Sequence, residues 1–179
     1  LFGHEKVSVL DGGLKSWLAR SGATESGPTI DAPKGGFTVR APIGAQMIPM
    51  DSLRQLVELG VAGQIADARS AGRFAGVDPE PRAGLRGGHM PDASNVPIAS
   101  LINQDGGLRS LDEIAAAFAA GGIETDRPVI TTCGSGVTAC GLALGLALLG
   151  NENVFVYDGS WSEWGASDAP IETSTPSPA

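Results

Sequence analysis

The chain has 179 residues, of which 42% are hydrophobic and 18% are charged, and its net charge is −8. This composition is typical of a folded domain with a buried core; it excludes a disordered protein and, because no apolar run reaches membrane length, a membrane-spanning one. The acidic balance argues against a nucleic-acid partner, which requires a basic face, whereas a small anion can still bind in a locally basic pocket.

The first residues of the chain repeat a later segment. Residues 1–17 and 148–164 align at a fixed offset of 147, with eight identities in seventeen positions. Both copies read as an alternating strand, an Asp-Gly turn and a helix closed by a tryptophan. The second copy ends a complete domain, so we expect residues 1–21 to be the C-terminal remnant of a similar N-terminal domain. Because a lone strand and helix cannot bury their apolar faces, we expect them to dock on the catalytic domain or on a missing partner domain.

The rest of the chain divides into a linker, a domain and a tail. Prolines and glycines break any periodic pattern over residues 22–42, which predicts a linker. Residues 43–168 are expected to form the catalytic domain. The tail, 169–179, is rich in Pro, Ser and Thr, and we expect it to be disordered.

Within the domain, predicted helices alternate with predicted strands. Asp51 is expected to cap a helix that ends near Leu59, and Ser110 to cap a second one with Glu113 in a capping box. Further predicted elements are strands at 64–67, 128–132 and 153–157 and helices at 111–120 and 138–149. Strands separated by helices predict an α/β fold with a central parallel sheet, helices on both faces and ligands at the carboxyl ends of the strands.

Cys133 lies at such a carboxyl end, between a predicted strand and a predicted helix. At a helix N-terminus several N–H groups lack internal partners, and the helix dipole adds positive potential. Gly134 and Gly136 allow the backbone to curl into a concave nest of N–H donors. A thiol in such a nest loses its proton readily, and the thiolate is the nucleophile. This pattern favours a reactive cysteine acting on an anion over the alternative, a buried structural cysteine.

The second cysteine, Cys140, bears on compartment and on metal binding. Its position about 10 Å along the helix from Cys133 is too far for a disulfide. We expect Cys140 to be a packed core thiol, and this cysteine usage suits a reducing, cytoplasmic compartment. Two histidines and two separated cysteines fit no metal-ligand pattern, so we expect neither a metal nor a cofactor.

Four of the nine arginines lie within eighteen residues: Arg69, Arg73, Arg82 and Arg86. Guanidinium groups are natural bidentate receptors for a carboxylate. The alternative is a solvated loop with ordinary surface ion pairs, for which Asp78 and Glu80 supply partners. We expect Arg69 to be structural, pairing near its strand end, and leave Arg86 open.

Five ordered motifs carry a family resemblance. They are Asp67-Ala68-Arg69, the stretch from Gly72 to Arg82, the stretch from Gly88 to Pro97, the loop Cys133-Gly134-Ser135-Gly136-Val137-Thr138, and the stretch from Tyr157 to Gly165. Together they resemble the 3-mercaptopyruvate sulfurtransferases, members of the rhodanese superfamily, over residues from about 43 to 168. The resemblance implies the rhodanese fold, with Cys133 at the base of a shallow pocket.

The resemblance also implies roles for individual residues. Cys133 and Ser135 are the implied catalytic residues, Ser135 through a serine–histidine–aspartate relay whose other members come from the N-terminal domain. The implied substrate-binding residues are Arg73 and Arg82, which hold a carboxylate and a carbonyl, and Gly134, Gly136, Val137 and Thr138 of the loop. The Thr138 hydroxyl is a possible hydrogen-bond donor to the sulfur. His89 is implied to be a structural histidine beside the active-site wall.

The implied reaction is sulfur transfer from 3-mercaptopyruvate, through a Cys133 persulfide, to a thiol such as thioredoxin or to cyanide, with release of pyruvate. Without its N-terminal domain the chain is expected to be impaired. Alternatives are a thiosulfate-type rhodanese, whose loop carries cationic residues, and a persulfide carrier without turnover. A cysteine phosphatase or arsenate reductase requires Cys-x5-Arg, but the sixth residue after Cys133 is Ala139, which leaves phosphate without its clamp.

Overall fold

A five-stranded parallel sheet forms the centre of the fold in a computed structural model, which describes residues 3–4, 6–28, 33–40 and 46–174. The strands are β1 Gln46–Met47, β2 Gln64–Asp67, β3 Ala93–Asn95, β4 Val129–Thr132 and β5 Val154–Val156. Their order in the sheet is β1-β5-β4-β2-β3, and every pair of neighbours is parallel. The predicted α/β class and parallel sheet are therefore confirmed.

Six helices accompany the sheet in the described residues. They are α1 Gly13–Ala19, α2 Met50–Glu58, α3 Ala71–Ala75, α4 Leu111–Ala120, α5 Val137–Leu148 and α6 Ser160–Trp164, with a 3₁₀ turn at Ile98–Ser100. The capping box of Ser110 and Glu113 forms as predicted. The cap predicted at Asp51 is wrong: the carbonyl of Pro49 already accepts the Leu53 N–H, so the helix begins at Met50 and Asp51 lies in its first turn.

Helices cover both faces of the sheet because the strand side chains alternate between them. On one face the core consists of strand residues and side chains of α2 and α6, among them Leu53, Ile65, Ile130, Trp161 and Trp164. On the other face the core is formed with α4 and α5, among them Ala66, Ile114, Phe118, Val129, Leu142 and Leu146. Cys133 belongs to this second core, which places the predicted nucleophile at the junction of β4 and α5.

Two glycines of α5 allow that helix to approach its neighbours closely. A Cβ on Gly141 would lie 2.6 Å from Ile98 Cδ1, and one on Gly145 would lie 2.9 Å from Leu101 Cδ2. Cys140, expected in the core, is instead exposed. The buried side of α5 includes Ala139, Leu142, Ala143 and Leu146, and Cys140 lies about 100° around the helix from Ala139.

The N-terminal segment lies beside the domain without burying its apolar side chains. The Asp-Gly turn at 11–12 and a helix with Trp17 form as expected, but the strand expected before them is absent over residues 6–10. A strand requires a partner for its backbone groups, and residues 6–10 pair with no strand of the described sheet. The contacts of the segment are polar: Asp11 accepts the Leu108 N–H at 2.8 Å, and Lys15 donates to the Gln104 carbonyl at 3.2 Å.

The ordered part of the domain extends beyond residue 168, where the disordered tail was predicted to begin. Residues 169–174, expected to be disordered, pack on it: Ala169 is fully buried, and Glu172 exchanges two backbone hydrogen bonds with His89. The rest of the predicted tail, 175–179, lies outside the described residues. In the part of the chain that the structure describes, no helix is long and apolar enough to cross a membrane.

Candidate active site

A pocket of about 270 Å³ opens at the carboxyl end of β4. Since β2, β4 and β5 are neighbours in a parallel sheet, the loops that follow them meet at this edge. The pocket is lined by Arg73, Glu80, Pro81, Arg82, Leu85, Cys133, Gly134, Ser135, Val137, Thr138 and Ser162. The structure thus brings together every predicted site residue except Gly136, which is buried behind the loop.

The thiol of Cys133 sits at the base of this pocket, 2% exposed, with hydrogen-bond donors around its sulfur. The Ser135 N–H lies 3.4 Å from Sγ. Burial has the strongest single effect on the thiol and raises its pKa. Hydrogen bonds from the Thr138 hydroxyl and from the Ser135 and Ala139 N–H groups, with a long contact from Ser160 Oγ at 3.9 Å, oppose burial, and together they hold the pKa of Cys133 below its ordinary value. The direction of this shift agrees with the predicted environment, in which hydrogen-bond donors stabilise the thiolate.

Ser160, the first residue of α6, fixes the loop from beneath. Its side chain is fully buried; the hydroxyl oxygen accepts the N–H groups of Cys133 and Gly136 at 3.1 and 3.0 Å and donates to the Tyr157 carbonyl at 2.8 Å. Ser160 has φ +49°, a value that is uncommon for a residue with a side chain. This hydroxyl therefore links the turn after β5 to the turn after β4.

Ser162 contacts both the loop and an arginine at the pocket rim. Its N–H donates to the Gly134 carbonyl at 2.9 Å, and its hydroxyl donates to the same oxygen at 2.5 Å. Arg82 Nη1 in turn donates to the Ser162 hydroxyl at 2.6 Å. The Ser162 hydroxyl is thus hydrogen-bonded both to Arg82 at the rim and to the backbone of the Cys133 loop.

One ion pair with a buried carboxylate holds Arg73, the second pocket arginine. Glu80, whose side chain is 2% exposed, accepts Arg73 Nη2 at 2.6 Å and Arg69 Nη1 at 2.9 Å. Arg69 also pairs with Asp67 at 2.6 Å and lies over the ring of Trp161, so its predicted structural role is confirmed. The surface ion pair considered for Glu80 is wrong: a buried carboxylate between two guanidiniums orients both of them.

The loop has no room for a side chain at either of its two glycines, and one of them also has a backbone conformation that other residues disfavour. A Cβ on Gly134 would lie 2.8 Å from Arg73 Nη2, and one on Gly136 would lie 2.7 Å from the Asp158 carbonyl oxygen. Gly136 also has φ +84°, which disfavours other residues. Any side chain at position 134 would therefore displace the Arg73 guanidinium from its present position.

Several residues considered from the sequence lie away from the pocket. His89 is buried, stacks on Phe74 and contacts the Phe74 carbonyl through Nδ1, which confirms a structural role. Arg86 donates to three backbone carbonyls of the segment 164–169 and is structural. Trp161 is buried in the core and does not line the pocket.

The catalytic role of Ser135 stays a prediction. Its hydroxyl is at the pocket and makes no hydrogen bond within the described part of the chain. The substrate-binding roles of Arg73 and Arg82 also stay predictions, although both side chains line the same pocket as Cys133. Among the described residues, no group of three or more His, Cys, Asp or Glu side chains is arranged to hold a metal ion.

Sequence reasoning missed what three residues do at the site: Ser160 and Ser162, which had no assigned role, and Glu80, which was considered only as a surface ion-pair partner. A signal for the two serines was present, because the motif from Tyr157 to Gly165 follows the predicted strand at 153–157. Had β5 been placed next to β4, its following turn would have been expected against the Cys133 loop. No pattern in the sequence distinguishes Glu80 from an exposed loop carboxylate.

Comparisons with known proteins agree with this geometry. A family model described as "Rhodanese-like domain" matches residues 50–167. A curated 3-mercaptopyruvate sulfurtransferase of Escherichia coli (strain K12) is 45% identical over 172 residues, which cover 96% of this chain and 60% of that protein. The chain thus spans about three fifths of the length of that relative.

Two solved structures share the fold. SseA from Escherichia coli, described as a 3-mercaptopyruvate sulfotransferase with the rhodanese fold, has a TM-score of 0.71 and 39% identity over 90% of this chain and 59% of its own. A structure of EanB with a cysteine persulfide and ergothioneine, described as a tetrahedral intermediate state, has a TM-score of 0.81 and 25% identity over 98% of this chain and 43% of its own. The predicted rhodanese fold is thereby confirmed. Since the family model covers more than half of the sequence, the chain belongs to the rhodanese-like domain family.

Proposed function

We propose that this chain carries the sulfur-transfer site of a 3-mercaptopyruvate sulfurtransferase. The observation that carries the proposal is the placement of the Cys133 thiol, surrounded by hydrogen-bond donors, in one pocket with the guanidiniums of Arg73 and Arg82. The name of the Escherichia coli relative, 45% identical, supports the same donor. Because the chain spans only part of that relative, the activity of the whole protein is part of this proposal.

Arg73 and Arg82 are the proposed anchors for the carboxylate and the carbonyl of 3-mercaptopyruvate. Both are cationic groups on the wall of a pocket whose base is the nucleophile. Glu80 holds Arg73 in place from the buried side, and Ser162 holds Arg82. An α-keto acid held at these two points presents its terminal sulfur toward the base of the pocket, where Cys133 lies.

In the first step the Cys133 thiolate attacks the sulfur of the bound donor. A bond forms between Sγ and that sulfur, and the carbon–sulfur bond of the donor breaks. The electron pair of the broken bond passes to carbon, so pyruvate leaves as its enolate and then takes up a proton. The products are a Cys133 persulfide and pyruvate. The Thr138 hydroxyl and the loop N–H groups, which lower the pKa of Cys133, supply the thiolate for this attack.

In the second step a thiolate acceptor such as thioredoxin, or cyanide, attacks the outer sulfur of the persulfide. The sulfur–sulfur bond breaks, the acceptor keeps the transferred sulfur, and Cys133 returns as a thiolate. The pocket is open enough for this approach, because Ser135 and Val137 at its rim are exposed. The persulfide described for EanB, which shares this fold, supports the intermediate.

Thiosulfate is the second candidate donor, and its transfer would form the same persulfide. The described loop from Cys133 to Thr138 contains no charged side chain, which favours a donor whose charge is a single carboxylate over a sulfonate-like dianion. Arg73 and Arg82 remain the cationic groups that either donor would contact. A carrier without turnover would need the same nucleophile and no pyruvate release.

The proposal is tested by intact mass measurement after exposure to 3-mercaptopyruvate and, separately, to thiosulfate. We expect a gain of one sulfur and release of pyruvate with 3-mercaptopyruvate, and neither in Cys133→Ser. Cys140→Ser is the matched control, since it removes the exposed thiol outside the pocket, and it should behave like the parent chain.

Each other outcome identifies an alternative. Sulfur gain from thiosulfate alone would assign the second donor. A single sulfur gain without continued pyruvate release in the presence of a thiol acceptor would assign a carrier. No gain from either donor in the chain with Cys133 intact would contradict the proposed function.

We further propose that residues 1–21 complete a preceding domain of the same kind and that the protein works in a reducing, cytoplasmic compartment. The internal repeat supports the first proposal, as do the exposed apolar side chains of the segment. Both cysteines are free thiols, which supports the second. Microscopy of the full-length protein with its own N-terminus, carrying a fluorescent tag at its C-terminus, tests the location; recovery in an oxidising compartment would contradict it.

A further inference from the structure

The carbonyl of Gly134 is held by two donors from one residue. The N–H and the hydroxyl of Ser162 both donate to it, at 2.9 and 2.5 Å. Such double donation restricts the rotation of the peptide plane between Gly134 and Ser135, because the oxygen cannot swing away without losing both bonds.

The opposite side of this peptide faces the nucleophile. In a trans peptide the C=O and the following N–H point in opposite directions. The N–H of this plane belongs to Ser135, and it donates to Cys133 Sγ at 3.4 Å. Ser162 therefore determines the direction of the Ser135 N–H, although its side chain contacts neither the sulfur nor that N–H.

The same hydroxyl also determines where one anchoring cation lies. Its oxygen accepts Arg82 Nη1 at 2.6 Å while its proton goes to the Gly134 carbonyl. Arg82 is exposed, and among the described residues it forms no salt bridge with a carboxylate. Arg73 differs, because the buried Glu80 carboxylate already holds it.

We propose that Ser162 is a positioning residue that sets the direction of the Ser135 N–H toward the nucleophile and the position of the Arg82 guanidinium at the same time. The part concerning Arg82 rests on the proposed function, since it requires a donor with a carboxylate or a carbonyl. The part concerning the thiol does not depend on any substrate. Replacing the hydroxyl should therefore alter two separate quantities.

Other groups near the thiol stay unchanged in such a variant. The charged or titratable groups that face the loop are Arg73 from α3, Glu80 and Arg82 from the loop after it, Asp158 from the turn after β5 and Cys140 from α5. None of their side chains is altered by Ser162→Ala, and only Arg82 contacts the hydroxyl that is removed.

The first measurement is the pH dependence of iodoacetamide alkylation of Cys133 in the substrate-free protein. It is made in a Cys140→Ser background, so that one thiol reacts. We expect Ser162→Ala to move the alkylation midpoint upward by about half a pH unit, because the N–H that stabilises the thiolate is less well aimed. Ser162→Thr keeps a hydroxyl and should restore the midpoint toward that of the parent.

The second measurement is KM for 3-mercaptopyruvate by pyruvate release. We expect Ser162→Ala to raise KM by about fivefold, as one charge-assisted hydrogen bond to Arg82 is lost. In an Arg82→Ala background the same substitution should leave KM unchanged and still move the alkylation midpoint. This separation would not arise from a general loss of stability.

Ser167→Ala is the matched control. Ser167 is another half-buried serine with two hydrogen bonds, to the Trp164 carbonyl and from the Ala169 N–H, and it does not line the pocket. If Ser162→Ala leaves the alkylation midpoint within the range of this control, the proposal is overturned whether or not the chain turns over. An unchanged KM in a protein that does turn over overturns it as well. Absence of turnover in the parent chain would contradict the proposed function and leave the alkylation result to decide the role of Ser162.

Discussion

At the scale of single residues, the loop that carries Cys133, the proposed nucleophile, depends on groups that are distant from it in the sequence. The hydroxyl of Ser160, 27 residues after Cys133, accepts the N–H groups at both ends of the tight turn. Glu80 precedes Cys133 by more than fifty residues and holds Arg73 at the edge of Gly134. Both side chains are almost fully buried, so their hydrogen bonds form in a low-dielectric setting where charge and direction have large effects.

The pH dependence of sulfur transfer follows from the thiol. The reactive form is the thiolate, and hydrogen bonds hold the pKa of Cys133 below its ordinary value. We expect the rate of the proposed persulfide formation to rise with pH and to level off, with a midpoint below the value of about 8.5 of a free cysteine. Stopped-flow measurement of pyruvate release at limiting donor checks this, with a low-molecular-weight thiol as the reference. A midpoint at or above that of the reference thiol would contradict the hydrogen-bond explanation.

The same lowered pKa has a consequence for stability. Between the native and the unfolded pKa of Cys133, the native state binds fewer protons than the unfolded state. The contribution of this thiol to the free energy of unfolding is therefore fully present above the unfolded pKa. It is lost as the pH falls through the native pKa.

At the scale of elements, helix α5 supports the site because it packs closely on the sheet. Gly145 faces Leu101, Phe118 and Ile114. A Cβ at this position would lie closer to Leu101 than an ordinary van der Waals contact allows. The N-terminus of this helix supplies the backbone N–H of Ala139 to Cys133. The position of the helix and the environment of the nucleophile are thus linked.

Replacing Gly145 by valine should lower the free energy of unfolding by about 2–3 kcal/mol through overpacking. Chemical denaturation measures this effect. Ala147→Val is the matched control, because Ala147 is exposed on the same helix and carries the same cost of a β-branched residue. Removing a helical glycine also improves helix propensity, so any loss in Gly145→Val arises against a gain that Ala147→Val does not have. No loss of stability in Gly145→Val would contradict overpacking at this position.

At the same scale, the sequence predicted which segments are helices or strands better than it predicted where they end and which side of a helix is buried. The helix at α4 with its capping box and the strands β2, β4 and β5 are local features, written in hydrophobic spacing and in Ser110 with Glu113. The start of α2 depends on a backbone hydrogen bond that the Pro49 carbonyl accepts from Leu53. The exposure of Cys140 depends on which side of α5 meets the core. These are outcomes of packing, and a single cysteine on an apolar helix carries no sign of its orientation.

At the scale of the whole molecule, the N-terminal segment differs from the later segment that it repeats. Val154 and Trp164 are buried in the domain, whereas their counterparts Val7 and Trp17 are 69% and 42% exposed. The two segments have similar sequences, so the difference lies in what surrounds them. The first copy has no neighbouring strands in the described chain, and its apolar face is open.

Deleting residues 1–21 should reduce binding of the apolar dye ANS and leave the melting temperature of the domain nearly unchanged. The reason is that the segment exposes apolar side chains and contributes mainly exposed polar contacts, among them those of Asp11 and Lys15. Thermal denaturation and dye fluorescence of both forms check this. A fall in melting temperature of several degrees would mean that the segment stabilises the domain more than these contacts indicate.

The sequence by itself determined the α/β class, the position of Cys133 at a strand end and a loop with glycines on either side of Ser135, whose N–H donates to the sulfur. Those features are local, because periodicity, capping and glycine conformations act over a few residues. Only the tertiary structure decided that Ser160 and Ser162 hold the loop, that Glu80 is buried between two arginines, and that residues 169–174 pack on the domain. Each of these contacts joins segments far apart in the chain, and their energies depend on burial and direction, which sequence spacing does not record.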